Sequence, residues 1–425
     1  MTQQNEIMYQ EMDNDNFDNL CEYHNGELLH GIYEFGFQTP SQIQIKAISV
    51  IINGKDIIAQ AQSGSGKTGA FVIGSLTKIN LALRRPQCII IANTKVLALQ
   101  IENVVKNIGK YIGKDTNNSL RISLCIGGET KETMANLREA SASHVLIGTP
   151  GRLVGLVKRD EYESKKYPRK NNVGLFDNVK ILVLDEADKL LEQSFRDEMR
   201  SIFDSITSTC QICLFSATYI DDILNLTKNF MNDPVKILVE KEKISVDTIK
   251  NYYVDAKYEN NKYDILIDIY QKVSVCQAVI FVNSIKKAIE ISESLANDGH
   301  SVGTIHSKLS DTDRADVLRD FRRTQTRILI ATDIISRGID VQQVGLVINY
   351  DIPSEPEQYI HRVGRSGRFG KSGVAITLLT SHYGDKMRIK NIESSYGIKF
   401  NQLPSLETVN NYLTGTNGYN LMQSK

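Results

Sequence analysis

Two neighbouring carboxylates, Asp185 and Glu186, follow a short apolar segment and could activate a water molecule beside a bound cation. They stand in K-I-L-V-L-D-E-A-D, whose apolar residues suit a strand buried on both faces of a parallel sheet. Adjacent carboxylates repel each other unless one binds a divalent cation and the other accepts a proton. Because carboxylates also favour helix N-termini, a solvated helix start is the alternative interpretation.

A glycine- and serine-rich loop earlier in the chain could bind nucleotide phosphates. In A-Q-S-G-S-G-K-T, Gly64 and Gly66 allow backbone N–H groups to surround phosphate oxygens, Lys67 supplies positive charge and Thr68 offers a hydroxyl for Mg²⁺. The strict pattern has glycine where this chain has Ala61, but the loop joins a predicted strand to a predicted helix that begins at Lys67. Together with the paired carboxylates, the loop predicts a nucleoside-triphosphatase site.

An aromatic and an amide side chain upstream could recognise a purine base. Gly36 is predicted to stop one helix and Ser41 to begin the next, which brings Phe37 and Gln44 near each other. An aromatic face and an amide that both donates and accepts suit a purine ring. Taken alone, a core Phe37 and a surface Gln44 would be the simpler interpretation.

Strand-like apolar segments alternate with helical segments in both halves of the chain. Examples are Q-C-I-I-I-A and H-V-L-I-G in the first half, and A-V-I-F-V and G-L-V-I-N-Y-D in the second. This alternation predicts an α/β fold of parallel sheets with helices on both faces, in which ligands bind at the carboxyl ends of the strands. The second half has no glycine loop ending in Lys-Thr, so no second independent nucleotide site is expected.

The turns after the strands of the first half offer backbone donors and cations. Gly127, Gly128 and Gly151 would expose N–H groups, and Lys95 and Arg152 add positive charge. A row of such turns could follow a sugar-phosphate backbone. For any single turn, an ordinary loop is the simpler interpretation.

Three arginines near the end of the second half, Arg362, Arg365 and Arg368, recur with a spacing that would place them on one side of a helix. Such clustering is unfavourable unless an anion faces it, and a triphosphate held by the first half is a natural candidate. Domain closure could then switch hydrolysis on. A basic helix that binds nucleic acid directly is the alternative.

The composition is that of an ordinary globular protein without strong bulk charge. Fifty basic residues balance fifty acidic ones, so any nucleic-acid binding must come from a locally basic groove. No apolar run is long enough to span a membrane, and the N-terminus lacks a signal-peptide pattern. The six cysteines are scattered and are predicted to be small buried hydrophobes, since the lone C-x-x-C of Cys210 and Cys213 lacks the other ligands of a zinc site.

The boundaries follow from shifts in composition. We expect a disordered tail at residues 1–16, a first domain at 17–239, a charged linker at 240–248, a second domain at 249–403 and a C-terminal tail at 404–425. The charged segment 158–172, without apolar periodicity, is predicted to be a surface excursion.

These motifs together resemble those of the DEAD-box RNA helicases, over about residues 17–400. The stretches F-x-T-P-S-Q-I-Q, A-Q-S-G-S-G-K-T, G-G, T-P-G-R, D-E-A-D, S-A-T, A-T-D-I-I-S-R-G-I-D and H-R-V-G-R-S-G-R occur in the order typical of that family. The tract G-I-D-V-Q-Q-V-G-L-V-I-N-Y-D-I-P looks closest to the translation-initiation factor four-A group. The resemblance implies two tandem RecA-like domains.

The resemblance also implies a role for each matching residue. ATP would be bound by Phe37, Thr39, Gln44, Ser63, Gly64, Ser65, Gly66, Lys67, Thr68, Gly338 and Asp340, with Mg²⁺ held through Thr68 and Asp185. Catalysis would involve Lys67, Glu186, His361, Arg365 and Arg368, and coupling between the domains Asp188, Ser216, Thr218 and Arg362. RNA would contact Thr94, Lys95, Gly128, Thr149, Gly151, Arg152, Asn283, Arg314 and Thr332.

Several departures from the family pattern fall on the expected RNA side. The family has P-T-R-E-L-A where this chain has N-T-K-V-L-A, so that Asn93, Lys95 and Val96 replace proline, arginine and glutamate. Lys95 keeps a point charge without the fork of arginine. Ser307 replaces a glycine and Asp311 a glutamine, and Ile285 stands where the closest group has arginine. These changes put RNA contacts in question more than ATP chemistry.

The resemblance thus predicts an ATP-dependent RNA helicase that couples Mg-ATP binding and hydrolysis to RNA clamping and local duplex unwinding. An ATP-gated RNA clamp of a ribonucleoprotein assembly is the main alternative, and a DNA translocase is a third. We expect a monomer that uses ATP and Mg²⁺ and binds single-stranded RNA or a short duplex, with protein partners that set specificity and no membrane association. Cytoplasm is the default compartment and the nucleus the alternative.

Overall fold

The computed structural model describes most of both halves of the chain. The described residues are 16–20, 26–61, 65–114, 118–127, 134–167, 173–216, 227, 230–238, 249–273, 277–333, 344–364 and 373–414. The chain divides into two compact units, unit 1 at residues 1–238 and unit 2 at residues 239–425. The predicted linker at 240–248 lies outside the described residues, as does the N-terminal tail up to residue 15.

Unit 1 is built around a sheet of seven parallel strands in the order β3-β4-β2-β5-β6-β1-β7. Its strands are short, and all except the edge strands β3 and β7 are fully buried, because helices cover them from both faces. The elements are α1 Phe17–Leu20, α2 Gly26–Glu34, α3 Gln42–Ile52, β1 Ile57–Gln60, α4 Lys67–Leu76, β2 Cys88–Ile91, α5 Lys95–Ile108, β3 Ile122–Cys125, α6 Met134–Ser141, β4 Val145–Gly148, α7 Pro150–Lys166, β5 Ile181–Asp185, α8 Ala187–Leu190, a 3₁₀ helix Gln193–Phe195, α9 Arg196–Ser205, β6 Gln211–Ser216 and β7 Val235–Leu238.

Unit 2 repeats this architecture with the strand order β10-β11-β9-β12-β13-β8-β14. All described pairs in its sheet are parallel. The elements are β8 Ile249–Lys257, α10 Asn261–Lys272, β9 Ala278–Phe281, α11 Ile285–Asn297, β10 Val302–Ile305, α12 Asp311–Arg322, β11 Ile328–Ala331, β12 Leu346–Asn349, α13 Pro356–Val363, β13 Gly373–Thr380, α14 Tyr383–Tyr396, β14 Asn401–Gln402 and α15 Leu406–Thr414.

Apolar layers lie on both faces of each sheet, which confirms the predicted fold class. In unit 1, Leu153 of α7 and Ile202 of α9 pack on one face, while α3, α4 and α5 contact the sheet from the other. In unit 2, Leu266 of α10 packs on one face and Ile392 of α14 belongs to a separate apolar cluster with residues of β8 and β13. Successive strand residues point to opposite faces, so an uninterrupted apolar run is what two covered faces require.

The charged segment predicted to be a surface excursion is instead largely helical. Helix α7 continues through it to Lys166. Asp160 is only 3% exposed and accepts a 2.9 Å hydrogen bond from the backbone N–H of Leu175, and Glu163 pairs with Arg159 at 2.7 Å. The segment is therefore a helix at the surface rather than an irregular excursion: two of its carboxylates are buried with partners, and its other residues from 158 to 167 are half-buried or exposed. Residues 168–172 lie outside the described part.

The predicted C-terminal tail also begins with ordered structure. Helix α15 spans Leu406–Thr414, Val409 is fully buried, and Leu406 and Leu413 pack against the core of unit 2. The second domain therefore extends past the predicted boundary at 403, because the apolar spacing of this short helix covers the sheet. Residues 415–425 lie outside the described part.

The cysteines that the structure describes are Cys88, Cys125, Cys210 and Cys213, and all of them are buried free thiols. Burial raises the pKa of Cys88, Cys125 and Cys210 to about 12. They are core residues, as predicted; Cys21 and Cys276 lie outside the described residues. Among the helices in the described part of the chain, none is long and apolar enough to cross a membrane.

Candidate functional site

The ends of β1, β5 and β6 bring the phosphate loop and the acidic motif to one edge of the sheet in unit 1. β6 lies between β5 and β1. The backbone N–H of Ala61, just after β1, donates a 3.1 Å hydrogen bond to the carbonyl of Ser216, the last residue of β6. Parallel strands end on the same side of a sheet, so residues distant in sequence become neighbours here.

The phosphate loop enters α4 through a left-handed turn. Gly66 is the N-cap residue with φ of 99°, a conformation that glycine adopts without steric cost. Helix α4 begins at Lys67, as predicted, and the Lys67 ammonium donates a 2.5 Å hydrogen bond to the carbonyl of Ala61. The N-terminal N–H groups of α4 and this ammonium suit an anion. Ser63 and Gly64 lie outside the described residues.

Asp185 ends β5 as a buried carboxylate, with 4% exposure. Burial raises its pKa above the ordinary value, while the Lys67 charge and the N–H of Glu186 lower it. The Glu186 N–H donates to Asp185 Oδ1 at 3.0 Å. A cation beside this carboxylate would offset the unfavourable burial of its negative charge.

Glu186 occupies a strained turn between β5 and α8. Its φ of 53° and ψ of 50° lie in the left-handed region, which non-glycine residues rarely adopt. Its carboxylate Oε2 accepts a 2.8 Å hydrogen bond from the side-chain Nδ2 of Asn93, which follows β2. The sequence analysis noted Asn93 only as a replacement for proline, and the adjacency of β2 and β5 in the sheet was the missing information.

The expected adenine-binding residues are joined to the phosphate loop. Gln44 is 3% exposed; its Oε1 accepts from the N–H of Ser41 at 2.8 Å and its Nε2 donates to the carbonyl of Gly66 at 3.3 Å. Ser41 Oγ donates to the carbonyl of Ser65 at 2.8 Å. The predicted helix start at Ser41 is confirmed, and it holds the loop in place.

Phe37 lies beside this junction with its ring partly exposed. Its ring stacks on that of Phe17 at 6.1 Å between centroids and contacts Phe35 edge-on at 5.0 Å. A Cβ atom added at Gly69 would lie 2.8 Å from the Phe37 ring and 2.7 Å from Gln44 Nε2. Phe37 and Gln44 are therefore close together, as predicted, whereas Thr39 is an exposed residue of the loop between α2 and α3.

The predicted RNA contacts of unit 1 lie at the starts of α5 and α7. Thr94 caps α5 by accepting from the N–H of Leu97 at 3.2 Å, and Lys95 is the first residue of that helix. Thr149 is the N-cap residue of α7, and Arg152 in its first turn is 9% exposed. Because β2 and β4 are neighbours, these helix starts share one sheet edge. Gly128 lies outside the described residues.

Arg362 of α13 lies in a hydrogen-bond network within unit 2. It is fully buried in unit 2. It donates to Asp333 at 2.6 Å, to the carbonyl of Asp351 at 2.7 Å, to Asn283 Oδ1 at 2.8 Å and, at 3.4 Å, to Asn349 Oδ1. A buried arginine needs fixed acceptors, and this guanidinium finds them in its own unit. The part of Arg362 in coupling the two units stays a prediction.

Asn283 is part of the same network. Its Nδ2 donates to the carbonyl of Ile352 at 2.9 Å, and its Oδ1 accepts from Arg362. The side-chain amide therefore already has a protein partner at each end. A second N–H of Nδ2 and a second lone pair of Oδ1 are left for the predicted RNA contact of Asn283.

The other predicted residues of unit 2 are only partly described. His361 is 3% exposed in α13, Arg314 in α12 donates to the carbonyl of Ser307 at 2.7 Å, and Thr332 follows β11. Helix α13 ends at Val363, with Gly364 as its C-cap residue. Also outside the described part are Arg365, Arg368, Gly338 and Asp340 in unit 2, and Thr218 in unit 1.

Comparison with known proteins gives consistent matches over most of the chain. Residues 41–226 match the DEAD/DEAH box helicase family, and residues 261–370 match the helicase conserved C-terminal domain. The chain is similar to the ATP-dependent RNA helicase FAL1 of Kluyveromyces lactis, with 44% identity over 89% of this chain and 90% of the relative. It is also similar to the ATP-dependent RNA helicase eIF4A of Candida glabrata, with 41% identity over 90% and 91%.

Solved structures show the same two-part architecture. Saccharomyces cerevisiae Dbp5 bound to RNA and ADP BeF3 aligns with a TM-score of 0.81 and 31% identity, covering 94% of this chain and 100% of that one. Mss116p bound to ssRNA and AMP-PNP aligns with a TM-score of 0.74 and 26% identity, covering 92% and 80%.

Proposed function

The chain belongs to the DEAD-box family of ATP-dependent RNA helicases. From that premise we propose which of its residues bind ATP, which promote hydrolysis and which bind RNA. Unit 1 binds ATP at the carboxyl ends of β1 and β5. The observation that carries the proposal is the meeting of Lys67, Asp185 and Glu186 at that edge. An ammonium, a buried carboxylate and a second carboxylate at adjacent strand ends are the groups that phosphoryl transfer to water requires.

Asp185 and Thr68 would hold Mg²⁺ in the ATP complex. The donor set fits, because both side chains offer the hard oxygen ligands that this cation prefers. The buried carboxylate of Asp185 has its pKa raised by desolvation, so a cation would favour its ionised form. The ion would supply charge neutralisation for the triphosphate oxygens.

Glu186 would act on the attacking water. The water oxygen bonds to the γ-phosphorus, the bond from that phosphorus to the β–γ bridging oxygen breaks, and ADP and inorganic phosphate leave. The proton of the water passes to the Glu186 carboxylate, which must therefore be ionised at the start. The Lys67 ammonium at the start of α4 would stabilise the negative charge of the phosphate oxygens.

The second unit would complete the site for hydrolysis. We assign Arg365 and Arg368 to the γ-phosphate, His361 to the catalytic arrangement, and Gly338 and Asp340 to the ribose. Arginines in this role raise rates of phosphoryl transfer by roughly 10³ to 10⁵. Hydrolysis would then depend on closure of the two units around ATP.

RNA would bind along the edge formed by the starts of α5 and α7, through Thr94, Lys95, Thr149, Gly151 and Arg152. Helix N-termini and cations suit phosphate oxygens. Contacts in unit 2, from Arg314 and Thr332, would continue this path. Since each ligand must offset the free-energy cost of fixing the two units together, ATP and RNA should bind cooperatively. An RNA strand bent in the closed state cannot remain in an A-form duplex, and local strand separation follows.

A comparison of polymers tests this proposal. ATP hydrolysis would be measured with single-stranded RNA, with single-stranded DNA of the same sequence and without polymer, and unwinding would be measured on a short RNA duplex with and without ATP. We expect RNA to stimulate hydrolysis at least about tenfold more than DNA does. A factor of this size is typical of the coupling between two binding sites. Equal stimulation by DNA would favour a translocase and contradict the proposal.

An ATP-gated RNA clamp with little unwinding is the second candidate. The clamp predicts RNA-stimulated hydrolysis and slow RNA release without duplex separation. The cytoplasm is the proposed compartment. We also propose that protein partners set the choice of RNA; the similar Dbp5 has been solved bound to Gle1 and to Nup159.

A further inference from the structure

The hydrogen bond between Asn93 and Glu186 joins two loops at the sheet edge where ATP is proposed to bind. Asn93 follows β2 and Glu186 follows β5, two neighbouring strands. Asn93 Nδ2 lies 2.8 Å from Glu186 Oε2, a distance typical of a hydrogen bond to an ionised acceptor. An ionised carboxylate can only accept, so the amide nitrogen of Asn93 is the donor.

The Asn93 amide has no evident part in building the loop around it. Helix α5 is capped by the side chain of Thr94, the residue after Asn93. The amide oxygen Oδ1 of Asn93 is buried and accepts no hydrogen bond from the residues that the structure describes. A buried amide with an unused acceptor is unfavourable for stability. The described role of this side chain is therefore its contact with Glu186.

The contact with Asn93 restrains the Glu186 carboxylate at a turn of unusual backbone conformation. The left-handed turn at φ 53° places Glu186 between the buried Asp185 and the first turn of α8. The hydrogen bond from its N–H to Asp185 Oδ1 fixes the main chain but not the carboxylate. A proton acceptor contributes to catalysis only when its geometry relative to the water is held within narrow limits.

We propose that Asn93 is a positioning residue that holds the Glu186 carboxylate in the orientation used for attack by water. The inference rests on the proposed role of Glu186 and adds a residue that the DEAD-box pattern does not provide, because proline at this place has no side-chain donor. In this chain the orientation of the carboxylate depends on an amide supplied by the neighbouring strand.

Two substitutions at Asn93 test the inference in the full-length protein with saturating RNA. Asn93→Ala removes the donor, and Asn93→Asp keeps the shape while replacing the donor by a repelling carboxylate. We expect the kcat for ATP hydrolysis to fall about tenfold in Asn93→Ala and further in Asn93→Asp, as a lost hydrogen bond to a charged group implies. The KM for ATP and the affinity for a fluorescent ATP analogue should stay within about twofold.

Controls separate positioning from stability. Asn107→Ala removes an exposed asparagine from α5, the helix that follows Asn93, where its amide bonds only to Asn103 in the described structure, and should leave kcat unchanged. Thermal unfolding of each variant shows whether it folds. Asn93→Gln, which keeps a donor on a longer side chain, should recover part of the lost kcat.

A double-mutant cycle with Glu186→Gln decides whether Asn93 acts through Glu186. If it does, adding Asn93→Ala to Glu186→Gln should lower the residual rate by less than twofold. An unchanged or faster kcat in Asn93→Ala, a loss that appears as weaker ATP binding, or a full tenfold loss in the Glu186→Gln background would overturn the inference. An absence of RNA-stimulated hydrolysis in the wild-type protein would instead overturn the proposed function.

Discussion

The hydroxyl of Ser216 donates a 2.9 Å hydrogen bond to the carboxylate of Asp188. Ser216 is the last residue of β6 and Asp188 lies in the first turn of α8, so the bond ties the strand after the acidic motif to the motif itself. Both residues are predicted to couple the two domains, and this bond would link that coupling to the acidic motif.

Replacement of Ser216 by alanine should separate hydrolysis from coupling. We expect ATP hydrolysis at saturating RNA to stay within about threefold of wild type, while the effect of ATP on RNA affinity falls about tenfold, within the usual range of coupling free energies. RNA affinity measured by fluorescence anisotropy, with and without an ATP analogue, checks this. Ser294→Ala, at a half-buried helical serine of unit 2, is the control. Unchanged cooperativity in Ser216→Ala would contradict the coupling role.

Glu186→Gln should keep ATP binding and abolish RNA-stimulated phosphate release. The glutamine oxygen can still accept from Asn93, so the geometry is preserved while the proton acceptor is lost. We expect at least a hundredfold lower rate, as for removal of a general base, with ATP affinity within about threefold. Glu192→Gln is the matched control, because Glu192 is an exposed carboxylate that pairs with Lys189. Undiminished turnover in Glu186→Gln would exclude Glu186 as the proton acceptor.

Gly31 permits the close packing of α2 on α5, and an added methyl group there should destabilise unit 1. A Cβ atom at Gly31 would lie 1.9 Å from the carbonyl oxygen of Ile108, a backbone atom that cannot rotate away. Gly31→Ala should lower the free energy of unfolding by about 2–3 kcal/mol. At Gly26 in the same helix, an added Cβ meets nothing within 4 Å, so Gly26→Ala should be neutral or slightly stabilising. Equal denaturation midpoints for the two variants would refute this.

Asp351 should stabilise unit 2 at neutral pH and lose this effect in acid. Burial of Asp351 raises its pKa, but the N–H of Asn283, the hydrogen bond from Lys287 and the charges of Lys287 and Lys262 together bring it below the ordinary value of 3.8. A carboxyl group with a lowered pKa in the folded state contributes stability above its unfolded pKa, and the contribution disappears as the pH falls through the folded value.

The variant Asp351→Asn tests whether the charge of Asp351 stabilises unit 2 above its pKa and no longer does so in acid. At pH 7 we expect it to lower the free energy of unfolding by about 2 kcal/mol, because Lys262, 3% exposed, loses an anionic partner 3.4 Å away. The difference from wild type should narrow below about pH 4. Urea denaturation across this range measures it, with the exposed Asp316→Asn as control. A difference that stays constant into acid would show that charge is not its cause.

The fold could be predicted from the sequence because its signals are local. Uninterrupted apolar runs such as the one that ends at Asp185 indicate strands with two covered faces, and the cap at Ser41 and the glycine before Lys67 mark the starts of α3 and α4. Parallel strands then bring the phosphate loop and the acidic motif to one edge. Much of the arrangement of unit 1 follows from these features.

The errors concern buried polar groups, whose partners are distant in the sequence. The sequence predicts Asp160 and Glu163 at the surface. In the structure both are buried, Asp160 with a hydrogen bond from Leu175 and Glu163 paired with Arg159. The spacing of Arg362 predicted a cation that faces a triphosphate. In the structure, acceptors at the ends of several strands of unit 2 surround it. Nothing in the spacing of charged residues tells whether such partners exist. The contact of Asn93 with Glu186 was missed for the same reason.

The backbone conformation of Glu186 has a consequence for the evolution of stability in this protein. A left-handed turn with a side chain other than glycine or asparagine is disfavoured by on the order of 1 kcal/mol. Selection for thermal stability alone would tend to replace Glu186, and the replacement would remove the proposed proton acceptor. Catalysis and stability therefore favour different residues at this position.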